Sequence, residues 1–372
     1  MSGDLAEFHA ELGAVARDML ARAAGDRPGP DPAELDPSVL AEAGWLGLEV
    51  PEALGGAGAT LAEVAVVLHE MGRAAACSSY LGSAVLGVGL CNLLEPGTHR
   101  DRLLAAIATG ACGVAVALST GEGAGGPPAL PFALSQAGRS LHLRGTAPFV
   151  PDAPGAERLL VLSGAPDATP VVVELHPGEG GVEVTPQPVL DATRRLGQIT
   201  ADTRVDPERV RRFGGDPAAA VRALADRAAL AMACDSLGLA EAMLEATVAY
   251  GAVRHQFGRP IGSFQAVQHA CADMLVKLTV SRELVAGAVA ALASDDPDAA
   301  RAVSMAKSHV CAAAVEVVGK AMQLHGGIGY TWDSGVHAYL KRAVLNRSLF
   351  GSPAAHRRRL AARYGERTGG GD

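Results

Sequence analysis

Aromatic side chains are scarce in this chain of 372 residues, at 4% of the total against 49% hydrophobic. A core so poor in rings has to be filled by aliphatic and small side chains, and 45 glycines suit helices that approach closely. Excess positive charge is missing too: 32 Lys and Arg face 40 Asp and Glu, for a formal net charge of -8. Such a balance gives no electrostatic footprint for nucleic acid. Only Arg357, Arg358 and Arg359 form a basic run, expected to be a solvated face or a complement to a helix dipole. The six cysteines Cys77, Cys91, Cys112, Cys234, Cys271 and Cys311 form no CxxC pair and are expected to fill core, which suits a reducing cytoplasm. No HExxH or nucleophile elbow occurs and no glycine-rich dinucleotide fingerprint follows a strand, so His255, His269, His309, His325 and His337 are expected on helix surfaces or in the core. Met1 to Leu20 contains acids, and no stretch reaches the roughly 18 to 20 uncharged apolar residues of a membrane span.

What is present has an α, β, α order. Residues 1–110 read as a helical domain, with Asp36-Pro37-Ser38 and a Thr60/Glu63 capping box as start signals. Residues 111–212 change to short β-type runs, such as Leu159 to Leu162 and Val171 to Leu175, between Gly and Pro clusters. Residues 213–372 return to helical periodicity, broken at Ser294 to Pro297 and at Gly326-Gly327. The run from about 218 to 254 is apolar on most of its circumference and belongs inside a bundle. The expected fold is mainly α with a central β domain: an N-terminal helical domain, a small antiparallel β barrel or sandwich, and a C-terminal four-helix bundle. Strands and helices do not alternate, which excludes a doubly wound nucleotide fold.

Two segments stand out. Tyr250-Gly-Ala-Val-Arg254-His-Gln256-Phe257-Gly258-Arg-Pro260-Ile261-Gly-Ser-Phe264-Gln265 sits at a helix end, and Gln323-Leu-His325-Gly326-Gly327-Ile-Gly329-Tyr330 lies further on. A guanidinium fixed at a helix end, as at Arg254, offers bidentate donors to a diphosphate. Gly326 and Gly327 remove side chains where a backbone must approach a ligand, although a bare helix C-cap explains a glycine as well. Both segments resemble the signatures of the acyl-CoA dehydrogenases, as do Pro51-Glu52, Gly55-Gly56 and Glu70-Met71-Gly72. That resemblance implies FAD as cofactor, an acyl-CoA substrate, an electron-transfer flavoprotein as partner and a tetramer. It also implies that Arg254, Gln256, Phe257, Gln323, Gly326 and Gly327 serve the diphosphate side of a flavin seated mainly on a neighbouring subunit, and it adds a CoA phosphate to the readings of the Arg357 run.

The same resemblance exposes losses. The family abstracts an α-proton with a glutamate, and the two usual positions map here to Gly351 and Ala228, neither able to accept a proton. The flavin-lining loop appears as Thr120 to Gly126, and the strand that stacks on the flavin ring appears as Phe149-Val150-Pro151-Asp152, with proline in place of a hydroxyl residue. Thr120 and Phe149 remain as cofactor contacts. The pattern is similar to the base-less partner subunit of heteromeric, steroid-degrading actinobacterial acyl-CoA dehydrogenases. Two alternatives stay open: a self-sufficient homo-oligomer with a base relocated to Glu122, Asp152 or Asp333, and a non-redox acyl-CoA-binding module.

Overall fold

The computed structural model describes residues 2–24, 34–119, 129–137 and 140–368. Helices α1 (Ser2–Ala24), α2 (Pro37–Glu42), α3 (Leu61–Arg73), α4 (Gly89–Leu93) and α5 (Thr98–Ala108) come first, with a π-helical stretch at Leu81–Val88 leading into α4. The start signals act as expected: Asp36 accepts from Ser38 N at 2.8 Å, and Thr60 and Glu63 close a capping box. Strands β1 (Val114–Ala117), β2 (Phe132–Ala137), β3 (Ser140–Pro151), β4 (Arg158–Gly164), β5 (Pro170–Leu175), β6 (Val182–Pro186), β7 (Leu196–Val205) and β8 (Val210–Arg211) follow. Then come α6 (Pro217–Val253), the hairpin β9 (His255–Gln256) and β10 (Arg259–Pro260), α7 (Gln265–Ala293), α8 (Ala299–His325), α9 (Val336–Ser348) and α10 (Pro353–Thr368).

The β region differs from the antiparallel barrel or sandwich expected. Its strands form one open sheet in the order β6-β7-β3-β2-β4-β5-β8, and β1 and β2 both run parallel to β4, end to end along one edge. Strand propensity says nothing about pairing, which explains the miss. Both faces of β4 are buried, since Leu160 and Leu162 join the helical core while Leu159 and Val161 join a second core inside the β region. Alternation of side chains along the strand produces that division.

Helices α6, α7, α8 and α9 form the bundle, with α10 against α8. By length and composition Ala299–Tyr330 is apolar enough to cross a membrane, yet 61% of its most apolar window is buried inside the fold. It is the core helix of the bundle. Helices α3 and α6 cross backbone to backbone: a Cβ on Gly72 would strike the Asp235 carbonyl, and one on Gly238 would strike the His69 carbonyl.

One buried guanidinium holds the regions together. Arg342 on α9 donates to both carboxylate oxygens of Asp235 on α6 (3.0 and 2.5 Å), to Ala76 O after α3 (2.7 Å) and to Thr193 Oγ1 before β7 (3.0 Å). Asn346 Nδ2 adds a bond to Asp235 Oδ1 at 2.5 Å, and Arg194 lies 3.2 Å from Oδ2 as an ion pair. Burial opposes ionisation of Asp235, but the charges of Arg342 and Arg194 and the hydrogen bonds prevail and hold its pKa at about 2. Beside it Lys307, fully buried, donates to the Asn346 carbonyl, and burial lowers the pKa of its ammonium.

Candidate functional site

The structure brings the two motif segments to one end of the bundle. The Tyr250 ring at the end of α6 stacks on His325 at the end of α8, centroids 4.6 Å apart and planes 20° from parallel. Helix α6 stops when Arg254 turns extended, and the chain reverses through Phe257 (φ 54°) and Gly258 (φ 79°) into the β9–β10 hairpin. Arg254, Gln256, Phe257, Gln323, Gly326 and Gly327 are all exposed there. The side chains of Arg254, Gln256 and Gln323 make no hydrogen bond or ion pair to any described residue. Gly326 has φ 63° and caps α8, so the C-cap reading holds for it; Gly327 has no such backbone demand, and a Cβ at either position meets nothing within 4 Å. Packing within this chain therefore leaves the bareness of Gly327 unexplained. Phe257 is 92% exposed and meets the Phe264 ring edge-on, centroids 6.2 Å apart. It is a wall only for something outside the chain. Chemically, this end presents an uncommitted cation, amide groups and an uncovered backbone, a set that suits a diphosphate.

Sequence reasoning missed the apolar surface around this end. Val253, Ile328, Tyr330 and Trp332 are exposed beside the motif residues, and Leu275, Val276 and Val280 are exposed along α7. Only Met274, Leu278, Ser281, Val285 and Ala288 of α7 are buried, so a helix whose composition reads as core turns much of its circumference outward.

The other motif positions lie in a different environment. Thr120, Glu122 and the rest of the loop to Gly126 fall outside the described residues, as does the side chain of Asp333. In β3 a bulge between Ala147 and Val150 carries Phe149 at φ 55°, exposed, with its N–H donated to Gln187 Oε1 at 2.6 Å. Pro151 has no N–H, and Asp152 N donates to Arg195 O at 2.8 Å. The donors of Phe149 and Asp152 are thus spent inside the chain. Asp152 is half-buried, and its carboxylate accepts from Gly82 N at 2.7 Å, fastening β3 to the π-helical stretch. Burial raises its pKa, the Gly82 N–H and Arg194 oppose, and the result is about 7.

Ala228 is fully buried in α6. Its neighbours are structural: Arg227 pairs with Glu49 and donates to Val85 O, while Asp226 takes Arg359 at 2.5 and 3.0 Å. Arg359 is therefore an internal ion pair, a role not foreseen for the Arg run, while Arg357 and Arg358 are exposed. Gly351 is buried at φ 94°, directly against the His356 ring. Neither usual base position carries a carboxylate. Of the cysteines, Cys77, Cys91, Cys234 and Cys311 are buried, and Cys112 and Cys271 are half-buried. Among the described residues no cluster of three or more His, Cys, Asp or Glu could hold a metal.

Comparison with known proteins gives one answer. The family model "Acyl-CoA dehydrogenase, N-terminal domain" matches residues 5–128, and "Acyl-CoA dehydrogenase, C-terminal domain" matches residues 218–365. The chain is 31% identical over 326 residues to acyl-CoA dehydrogenase IpdE2 of Mycolicibacterium smegmatis, covering 86% of this chain and 85% of the relative. IpdE2 of Mycobacterium tuberculosis is 32% identical over 329 residues, covering 87% and 85%. Among solved structures, the ChsE4-ChsE5 complex of Mycobacterium tuberculosis superposes with TM-score 0.83 at 27% identity over 96% of this chain and 97% of that one. A Tcur3481-Tcur3483 steroid ACAD superposes with TM-score 0.84 at 28% identity over 98% and 99%. With the folds matched end to end and both terminal regions recognised, this chain belongs to the acyl-CoA dehydrogenase family of FAD-dependent oxidoreductases.

Proposed function

We propose that this chain is the base-less partner subunit of a heteromeric acyl-CoA dehydrogenase, working with a sister subunit that supplies the proton acceptor and most of the flavin site. One observation carries the reading: groups suited to a diphosphate are free and exposed at the bundle end, while both usual base positions, Gly351 and Ala228, are buried and hold no acid. When bound, FAD supplies the hydride acceptor that α,β-desaturation needs. The part proposed for this chain is binding: Arg254, Gln256, Gln323 and the bare backbone at Gly326-Gly327 grip the diphosphate of a flavin seated on the sister, and Phe257 closes the wall. The apolar outer face of α7 and the patch at Val253, Ile328, Tyr330 and Trp332 support a partner chain as the missing cover. The neighbour named a steroid ACAD supports a bulky ring-bearing acyl-CoA as substrate. An electron-transfer flavoprotein would take the electrons onward.

Acyl-CoA oxidation by the purified chain, alone and co-expressed with a sister subunit, tests this. Turnover only in the co-expressed complex is expected. Full turnover by the lone chain would overturn it. One observation favours a second reading, a self-sufficient enzyme: the Asp152 carboxyl, at the flavin end of β3, has a pKa of about 7 and is half-buried. Under that reading the lone chain turns over and Asp152→Asn abolishes the reaction; under the first, the complex keeps its turnover in the variant.

A further inference from the structure

The turn at residues 350–351 has consecutive residues in the left-handed region, Phe350 at φ 55° and Gly351 at φ 94°. A Cβ built on Gly351 lies 2.8 Å from His356 Nε2, closer than side-chain carbons come, and 3.1 Å from its Cδ2, a tight contact. The ring is not free to step aside. His356 is buried, its Nε2 lies 3.0 Å from the Phe350 carbonyl oxygen, and its Nδ1 lies 3.3 Å from Ser304 Oγ on α8. A carbonyl only accepts, so Nε2 carries the proton and Nδ1 holds the lone pair toward the serine hydroxyl. Both nitrogens are committed, and neither can take a proton from a substrate. Burial, aided by the nearby Lys307 and Arg359 charges, lowers the pKa of the ring to about 4 and keeps it neutral.

We infer that His356 is a plug: it closes position 351 to any side chain, so no single substitution there can give this chain a base, and the α-proton acceptor belongs to another chain. The steric half stands on geometry alone, whereas the last clause rests on the partner-subunit reading. His356 here is a positioning residue, acting through the turn it fills.

The test is a double-mutant cycle on the full chain: wild type, Gly351→Ala, His356→Ala and both together, followed by thermal unfolding. Gly351→Ala is expected to lower Tm by roughly 5 °C or more, from the clash added to the left-handed strain. With His356 already removed, the same change should cost less than half as much. An equal cost in both backgrounds would show that backbone strain alone guards the position, and would overturn the plug. If the glycine variants fail to fold, histidine 15N resonances of the wild-type chain decide the matter. A ring that stays neutral, protonated on Nε2, from pH 7.5 to 5.5 and is unmoved by an added acyl-CoA supports it; a ring that titrates there or responds to the acyl-CoA overturns it. Gly351→Glu should leave the lone chain inactive, and turnover by that single variant would also overturn the plug. Turnover by the wild-type chain alone sinks the partner-subunit reading while leaving the stability cycle untouched, so the two failures are distinguishable.

Discussion

The bundle end and the segments around Phe149 to Asp152 and Gly351 treat the same kind of group in opposite ways. At the bundle end Arg254, Gln256 and Gln323 are exposed with no partners among the described residues. At the other segments the Phe149 N–H goes to Gln187, Asp152 to Gly82, and the space beside Gly351 to His356. One region is left open for something outside the chain, and the other is satisfied from within. Such a division fits the proposal that the site is shared with another chain.

Several perturbations break or sharpen this contrast. The largest effect is expected at Arg342. Replacing it with Met leaves the buried Asp235 carboxylate with only Arg194 and Asn346, and the loss should be about 3–5 kcal/mol in denaturant unfolding. Arg254→Ala, by contrast, should change stability by less than about 0.5 kcal/mol while weakening flavin retention by the assembled complex at least about tenfold, since it removes a charge-assisted contact.

Acidity gives the next test, with opposite signs on two carboxyls. The pKa of Asp235 is depressed to about 2, so its contribution is complete above the ordinary value near 3.8 and is lost as pH falls from about 4 to about 2. The pKa of Asp152 is raised to about 7, so the stability tied to its protonated form is full below about pH 4 and is lost as pH rises toward and through about 7. Asp152→Asn keeps an acceptor for Gly82 N and should raise stability at pH 8 by about 1–2 kcal/mol, discounted because the residue is only half-buried. Thermal unfolding of the variant across pH 4 to 8 checks it; an unchanged pH slope would contradict the assignment. Smallest of all, Lys307→Met should be neutral or stabilising within about 1 kcal/mol, because a buried ammonium without a carboxylate partner costs desolvation.

The sequence showed the helix starts at Asp36 and Thr60, the extent of α6 and the two motif segments, because each is written in neighbouring residues. It did not show what is assembled from afar. Asp235, Arg342, Asn346 and Thr193 read singly as ordinary polar positions, and nothing local says that one guanidinium gathers them. His356 follows Gly351 by five residues, and nothing in that spacing shows that its ring lies against that position. The parallel seating of β1 and β2 on β4, the π-helical stretch at Leu81–Val88 and the Arg359–Asp226 pair likewise depend on tertiary placement rather than pattern. The losses at Gly351, Ala228 and Pro151 were legible because an absent functional group is visible in one letter.

The central claim is that this chain contributes the diphosphate half of a flavin site and has no working ring half of its own. Bound FAD per polypeptide in the purified heteromer measures it most directly. The account predicts one FAD for each pair of unlike chains and none retained by this chain alone. One FAD for every chain, with this subunit flavinated by itself, would contradict it.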